Sequence, residues 1–195
     1  MSKSSSKPRI AIAPLTIVYD VAEQAPYTFT NIPPMSRHKA DTLVVPVHRM
    51  NLPDGDYGIY GMIGHCAVER KSMDDMYNTI ALCVKQRSEA GKGGVNNETT
   101  RFERELASLN EMPNAAVVIE AGLQDVMNPR LRYPSFRSKL NPRSAFGMIT
   151  EWQVRFPCVQ FVFAGSRRLA EIWTFYYLER VWRDCMCRDD KGVRT

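Results

Sequence analysis

The fold is decided by residues 55–75, which read GDYGIYGMIGHCAVERKSMDD. Two apolar runs separated by glycines predict a β-hairpin in this segment. Side chains alternate between the two faces of a strand, so Glu69 and Lys71 are expected on one face and Arg70 on the other. The hairpin would bring Asp56, on the first strand, alongside them. The segment therefore predicts two acids and a lysine gathered at one place.

These residue types suit the hydrolysis of a phosphodiester with the help of a metal ion. Mg²⁺ prefers oxygen ligands, which Asp56, Glu69 and the backbone carbonyl of Arg70 are able to supply. The cation would acidify water and offset charge on the phosphate. Lys71 is placed to orient or deprotonate the attacking water, or to pair with the scissile phosphate. The segment thus predicts a Mg²⁺ or Mn²⁺ site.

The same residues carry a resemblance to a known family. The pattern Gly-Asp-x(n)-Glu-Arg-Lys-x-x-x-Asp resembles the nuclease motif of the XPF family of structure-specific DNA endonucleases, and it is matched by Gly55, Asp56, Glu69, Arg70, Lys71 and Asp75. An upstream strand is similar to the family's Asp-x-Arg-Glu segment, with Asp20 and Glu23 matching and Ala22 in place of the arginine. Residues 101–106 and 117–120 resemble the family's next helix and strand, so the resemblance covers roughly residues 15–165.

The resemblance implies a fold, an activity and a set of site residues. The expected fold is α/β, with a restriction-endonuclease-like core in which helices flank a central mixed sheet. The expected activity is a Mg²⁺- or Mn²⁺-dependent endonuclease acting on branched, flapped or nicked duplex DNA, in repair, recombination or phage DNA processing. Asp56 and Glu69 would bind the metal, Lys71 would handle the water, and Arg70 and Asp75 would support the site. Asp20 and Glu23 would lie around it or at a second metal position.

The resemblance also bears on domains and partners. We expect a disordered basic arm at residues 1–9 and a single nuclease domain at 10–195, with its core at 15–165 and its last helix at 166–187. A chain that matches the nuclease domain alone is similar to standalone bacterial and phage nucleases. Recognition of branched DNA would then come from the nuclease body, from a homodimer or from a partner protein.

Several of these acids also have purely structural explanations. Ser72 followed three residues later by Asp75 is typical of a capping box, so Asp75 is either a helix cap or a support for the site. Asp54 is interpreted as a turn residue despite its closeness to Asp56. Glu120, at the end of an apolar run, either borders the site or is a solvent-facing carboxylate, and the second interpretation is favoured. Asp20 and Glu23, by contrast, end a buried strand and need a reason to be there.

The periodicity of apolar residues predicts alternating strands and helices, which favours an α/β domain. Residues 122–140 are predicted as a loop, and residues 86–99 as a flexible one. Arg130, Arg132, Arg137 and Lys139 in the first of these loops are candidate contacts to a DNA backbone, but a solvated loop pinned to the body by Tyr133 and Phe136 is the favoured interpretation. Strands are predicted at Ile10–Tyr19, Leu43–Val47, the hairpin, Ala115–Ala121 and Val159–Ala164, and helices at Ser72–Lys85, Arg101–Asn110, Pro142–Arg155 and Ser166–Cys185.

The composition bounds the class of protein. A net charge of +5 in 195 residues agrees with a polyanionic partner. Five cysteines without a Cys-x-x-Cys pair argue against a zinc site and indicate a reducing compartment. No apolar stretch has the length of a membrane span, and the first residues lack an apolar signal region. We expect a cytoplasmic protein, in a bacterial or phage-infected cell if the resemblance to standalone nucleases holds.

Three other functions remain open on the sequence. A sequence-specific restriction-type endonuclease would share this core but cut linear duplex at one defined site. A non-catalytic DNA-binding subunit would retain the fold, and Ala22 leaves that alternative open. A nuclease directed at RNA would require the 2′-hydroxyl group.

Overall fold

The computed structural model describes residues 8–90, 100–132 and 136–192. The strands are β1 Ile10–Ile12, β2 Ile17–Asp20, β3 Thr42–Val44, β4 Val47–Met50, β5 Tyr57–Ile59, β6 Cys66–Lys71, β7 Asn114–Ile119 and β8 Val159–Phe163. The helices are α1 Met73–Ala90, α2 Arg101–Asn110, α3 Leu123–Met127, α4 Pro129–Arg132, α5 Pro142–Arg155 and α6 Arg167–Gly192. A 3₁₀ turn at Ser36–His38 interrupts the long connection between β2 and β3.

Six strands form one mixed sheet in the order β4-β2-β5-β6-β7-β8. β5 is antiparallel to both β2 and β6, with Tyr57 opposite Val68, whereas β6, β7 and β8 run parallel. The hairpin expected at residues 56–71 is therefore confirmed. Its second strand lies in the middle of the sheet, which places the Glu-Arg-Lys segment at the carboxyl end of a central strand.

Two hydrophobic cores cover the two faces of this sheet. On one face, α1, α2 and α5 pack against Ala67, Ala115 and Val117. On the other face, α6 and residues 27–32 pack against Val68 and Val118. Because side chains alternate along β6, Glu69 and Lys71 project on the α1–α2 side and Arg70 on the α6 side. The mixed sheet flanked by helices confirms the expected fold class.

The first predicted strand, Ile10–Tyr19, is broken in the structure. Pro14 lies at the break, where the chain changes its pairing partner: β1 pairs with β3 in a separate two-stranded sheet, and β2 joins the main sheet. Proline lacks the N–H that a continuous ladder needs. Pro46 separates β3 from β4 in the same way.

The loop predicted at residues 122–140 is also wrong in part, because α3 and α4 occupy its first half. The side chain of Asp125 accepts the N–H of Gly122 at 2.8 Å, and the hydroxyl of Tyr77 donates to the carbonyl of Val126. These short-range and tertiary contacts stabilise helices that the local sequence signals only weakly. The loop predicted at 86–99 begins later than expected, since α1 continues to Ala90, and its remainder lies outside the described residues. Within the described part of the chain, no helix is long and apolar enough to cross a membrane.

Candidate active site

The backbone conformation at position 55 requires a glycine. Gly55 has φ +70°, a left-handed conformation that side-chain-bearing residues rarely adopt. A Cβ at this position would also lie 3.1 Å from the Cβ of Ala67 and 3.3 Å from the carbonyl oxygen of Val68. This close approach lets the N–H of Asp56 donate to the Val68 carbonyl at 2.9 Å. Gly55 therefore fixes Asp56 beside β6.

Asp56, Glu69 and Lys71 line one open cleft of about 730 Å³. Besides the sheet, the cleft is lined by residues of α1, by the start of α2 and by residues 22–25. Asp75 lines the same cleft. The other lining residues are Ala22, Glu23, Gln24, Ala25, Arg70, Asn78, Thr79, Leu82, Cys83, Gln86, Thr100, Arg101, Phe102 and Glu105. The cleft is far larger than a single cation and is open to a polymeric substrate.

Asp56 is held in place by the strand opposite it. The backbone N–H of Arg70 donates to Oδ2 of Asp56 at 2.7 Å. Burial, together with repulsion from the Glu69 carboxylate, nevertheless raises the pKa of Asp56 to about 8. Because burial and repulsion disfavour the negative charge of Asp56, a cation that approaches this carboxyl group would stabilise its ionised form.

Glu69 and Lys71 form a close ion pair on the α1–α2 face. The ammonium Nζ of Lys71 lies 2.5 Å from Oε1 of Glu69, and both side chains are largely buried. Burial raises the pKa of Glu69 even though Lys71 acts against the shift. Burial alone would lower the pKa of Lys71, but the Glu69 carboxylate raises it overall. Lys71 also lies over the ring of Phe102, 4.6 Å from its centroid, which fixes the ammonium further.

Arg70 points to the opposite face, where Glu120 holds it in a bidentate pair. Nε and Nη2 of Arg70 donate to the two carboxylate oxygens of Glu120 at 2.7 and 3.2 Å. Glu23 approaches Nη1 at 3.3 Å, and the guanidinium lies 5.8 Å from the ring centroid of Tyr27. Arg167 of α6 donates to the same Glu120 at 2.9 Å. This network anchors the end of β6 to β7 and α6.

The remaining acids predicted from the sequence have clear local partners. Asp20 accepts backbone N–H groups from Ala22 and Leu52, both at 2.7 Å, and it does not line the cleft. Glu23 accepts the N–H of Ala25 at 2.7 Å in addition to its contact with Arg70. Asp20 is thus placed to hold the turn after β2, whereas Glu23 lies at the cleft and supports Arg70.

Asp75 lies at the cleft and at the start of α1. The hydroxyl of Ser72 donates to Oδ2 of Asp75 at 2.6 Å and accepts the N–H of Asp75 at 3.1 Å. These reciprocal bonds are those of a helix cap. Asp75 therefore caps α1 and also lines the cleft, which are the two alternatives that the sequence left open.

The basic residues predicted to contact DNA lie away from this cleft. Arg130, Arg137 and Lys139 are exposed, and none of them lines it. Arg132 ends α4, and its side chain lies outside the described part of the structure. Phe136 of the same segment is buried against Tyr77, with the ring centroids 4.7 Å apart. Phe136 thus packs against the body of the protein, whereas Arg130, Arg137 and Lys139 face solvent.

The donor set fits a hard divalent cation better than zinc. Among the residues that the structure describes, no group of three or more His, Cys, Asp or Glu side chains is arranged to hold a metal. Mg²⁺ requires less of the protein, since it usually takes one or two carboxylates with waters and substrate phosphate oxygens. Asp56 and Glu69 line the same cleft and their charges repel each other, so they are the two carboxylates that would hold such a cation.

Sequence analysis favoured the wrong role for one acid near the site and did not single out another. Glu120 was interpreted as solvent-facing, but its side chain is only 10% exposed and it holds Arg70. Its position at the end of β7, one strand away from Arg70, was the available signal. Glu105 lines the cleft near Glu69 and adds to the negative charge there. Glu105 lies one helical turn after Arg101, at the cleft-facing end of an amphipathic helix. The helical pattern alone could not show that Glu105, rather than another acid of this helix, faces the cleft.

Comparison with known proteins identifies the family of this chain. The model of the ERCC4 domain family matches residues 27–175, a range that includes Asp56, Glu69, Lys71 and Asp75 and begins after Asp20. No curated protein matches the chain.

Two archaeal structures are similar to this one. XPF from Aeropyrum pernix in complex with DNA has a TM-score of 0.52 at 15% identity, covering 87% of this chain and 66% of that one, slightly under two thirds. XPF from the same organism without DNA has a TM-score of 0.47 at 17% identity, covering 91% of this chain and 68% of that one. The first of these likenesses shows a shared fold, and the family match extends over most of the chain. This protein belongs to the ERCC4 domain family and has the fold of an XPF-type nuclease domain.

Proposed function

We propose that this protein is a divalent-metal-dependent DNA endonuclease that cuts branched, flapped or nicked duplex DNA. The proposal is carried by one observation: Asp56, Glu69 and Lys71 line the same cleft at the end of the central hairpin. Membership of the ERCC4 domain family supports nuclease activity. The likeness to an XPF that was solved in complex with DNA supports DNA as the substrate.

Asp56 and Glu69 would hold the cation, and their environment fits that role. Each carboxyl group has a raised pKa because burial and neighbouring acids disfavour its charge, and a bound cation would remove that penalty. The N–H of Arg70 points towards Asp56, and N–H and C=O of one strand residue face the same side, so the Arg70 carbonyl is a third candidate oxygen. When bound, a divalent cation acidifies water and offsets the charge that develops on the phosphate.

The protein's own side chains would position the reacting groups. Lys71 stays protonated beside Glu69, so we assign it the role of an ammonium group that orients water or pairs with the scissile phosphate. The guanidinium of Arg70 is paired with Glu120 and Glu23, and its role is to fix the strand that carries Glu69 and Lys71. Asp75 would keep the start of α1 in register with the cleft.

The charge of the cleft predicts that DNA requires the cation in order to bind closely. Five acids line it, namely Glu23, Asp56, Glu69, Asp75 and Glu105, against the three cations Arg70, Lys71 and Arg101. Once the buried carboxyl groups of Asp56 and Glu69 are ionised, phosphate groups would be repelled by this excess of negative charge. A divalent cation between Asp56 and Glu69 would reverse the balance at the point where the strand is cut.

Cleavage of labelled substrates tests the proposal. Flap, fork, four-way junction and plain duplex DNA are incubated with Mg²⁺, Mn²⁺ or EDTA. Asp56→Ala and Lys71→Ala should each reduce the single-turnover rate by at least about a hundredfold while circular dichroism remains that of the wild type. Asp54→Ala is the matched control, because Asp54 is an acid two residues from Asp56 that does not line the cleft.

The alternatives have distinct outcomes in the same experiment. Cutting at one defined site in linear duplex would indicate a restriction-type enzyme. Binding without cleavage in any metal would indicate a non-catalytic subunit. A requirement for a 2′-hydroxyl would indicate an RNA-directed nuclease. Full activity of Asp56→Ala or Lys71→Ala would contradict the assignment of the site.

A further inference from the structure

Helix α1 presents a row of three side chains along the wall of the cleft. Asn78, Leu82 and Gln86 follow one another at intervals of four residues, so they lie on one face of the helix. The row is about 12 Å long, at 1.5 Å per residue. All three side chains are exposed, and all three line the cleft that contains Asp56 and Lys71.

Leu82 is the unusual member of the row. The core-facing side of α1 is already filled by Met76, Tyr77, Ile80 and Cys83, which are all buried. Leu82 contributes nothing to that core and is 61% exposed. Single exposed leucines are common on protein surfaces. This one, however, lies inside the cleft, between two amide side chains that are each one turn away.

The chemistry of the row matches a nucleic acid strand. Amide side chains of Asn and Gln contact phosphate and sugar oxygens without adding charge. Proteins that distort DNA insert apolar side chains such as leucine between base steps, and they must overcome the cost of unstacking. That cost is already absent where a branch or a nick has opened the stack. A wedge in the cleft would therefore favour opened DNA over intact duplex.

We propose that Leu82 is the wedge that gives this protein its preference for opened DNA, with Asn78 and Gln86 holding the backbone on either side. The inference rests on the proposed function, since the row adjoins the site assigned to phosphodiester cleavage. It names residues of this chain that carry structure selectivity. The selectivity would arise because Leu82 gains contact with an exposed base at a branch but must first separate bases in a continuous duplex.

The test compares Leu82→Ala with Leu169→Ala. Leu169 lies on α6, is 54% exposed and does not line the cleft, so it provides the same substitution at similar exposure. Single-turnover rates are measured on a flap and on the plain duplex of the same sequence. Leu82→Ala should lower the flap rate by about tenfold, the effect of losing most of a leucine's apolar contact, and leave the duplex rate within twofold. Leu169→Ala should leave both rates unchanged.

A fluorescence measurement separates this proposal from the proposed function. With 2-aminopurine beside the branch and Ca²⁺ in place of Mg²⁺, binding of the wild type should increase the fluorescence as the base unstacks. The increase should disappear in Leu82→Ala. If the wild type cuts no DNA but shows this signal, the wedge stands and the endonuclease proposal fails. If cleavage is normal and Leu82→Ala retains the wild-type flap preference and fluorescence, the wedge is refuted and the endonuclease proposal stands.

The flanking amides give an independent readout. Asn78→Ala combined with Gln86→Ala should weaken binding by roughly tenfold, since each removes a neutral hydrogen bond. The slope of log affinity against log salt should not change, because neither residue neutralises a phosphate. Arg101→Ala, at the same cleft, should reduce that slope by about one. A changed slope in the double variant, or unchanged affinity, would overturn the assignment of these amides.

Discussion

Replacing Glu120 with alanine removes both oxygens that Arg70 contacts, at 2.7 and 3.2 Å, and the contact to Arg167 at 2.9 Å. The side chains of Arg70 and Glu120 are only 12% and 10% exposed. Arg70 would remain as a largely buried cation with Glu23 as its nearest acid, at 3.3 Å. Removing one partner of a buried ion pair costs about 3–5 kcal/mol. Because Glu23 remains, we expect about 2–3 kcal/mol, which lowers Tm by roughly 5–10 °C.

The same substitution should reduce activity beyond its effect on folding. Arg70 holds Asp56 through its backbone N–H, so a shift of the end of β6 would disturb the geometry of the site. We expect the single-turnover rate of Glu120→Ala to fall by about tenfold or more at a temperature where the variant is folded. Glu120→Gln keeps the shape and one acceptor oxygen, and it should lie between the wild type and alanine in both stability and rate.

Thermal and urea unfolding followed by circular dichroism measure the first effect, and flap cleavage measures the second. Glu151→Ala is the control, because Glu151 forms an exposed pair with Arg87, which keeps Glu103 as a second partner. It should change the unfolding free energy by less than about 1 kcal/mol. The reasoning is refuted if Glu120→Ala is as stable as Glu151→Ala and cuts at the wild-type rate.

Two further predictions concern pH. The pKa of Asp56 is about 8 without metal, so binding a cation at lower pH must release a proton. Mn²⁺ affinity measured by calorimetry should therefore rise by at least about tenfold per pH unit up to about pH 8 before it levels off. Asp56→Asn should reduce this rise by about tenfold per pH unit and leave only the part due to Glu69, whose pKa is also raised. Burial alone would raise the pKa of Glu179, but hydrogen bonds from Arg37, Arg183 and His38 lower it to about 2. The stability that this carboxylate contributes is present above about pH 4.5 and is lost as the pH falls towards 2, by at most about 3 kcal/mol. The free energy of unfolding in urea should therefore vary less with pH in that window for Glu179→Gln than for the wild type.

Each pH prediction has a distinct contrary outcome. Mn²⁺ affinity that is constant between pH 6 and pH 8 would mean that Asp56 is already ionised in the free protein. Acid destabilisation that is identical in the wild type and in Glu179→Gln would mean that the cluster around Glu179 does not govern the acid limit.

The sequence predicted the elements that are encoded locally. Helices α2 and α5 have the expected bounds, Arg101–Asn110 and Pro142–Arg155, and α5 begins at a proline, which suits the first turn. The alternation of side chains along β6 placed Glu69 and Lys71 on one face, and the structure bears this out through their ion pair. The glycine before Asp56 also had a local reason, its left-handed backbone.

Features that depend on tertiary contact were not predictable from the sequence. Glu120 follows an apolar strand, a pattern that is typical of an acid exposed to solvent at a strand end. In the structure, however, it is buried against Arg70 of the neighbouring strand. The wall formed by α1 and α2 depends on how two helices pack on the sheet, so Leu82 could be recognised as exposed within the cleft only in three dimensions. Pairing of strands distant in the chain likewise decided that β1 leaves the main sheet.

The most direct test of the account is the position of a bound cation. Crystals soaked in Mn²⁺ and measured at the manganese absorption edge should show an anomalous peak in contact with the carboxylates of Asp56 and Glu69. Crystals of Asp56→Asn should lack this peak. A wild-type map with no peak between these two side chains, or with its strongest peak elsewhere, would contradict the central claim that they form the metal site of a nuclease.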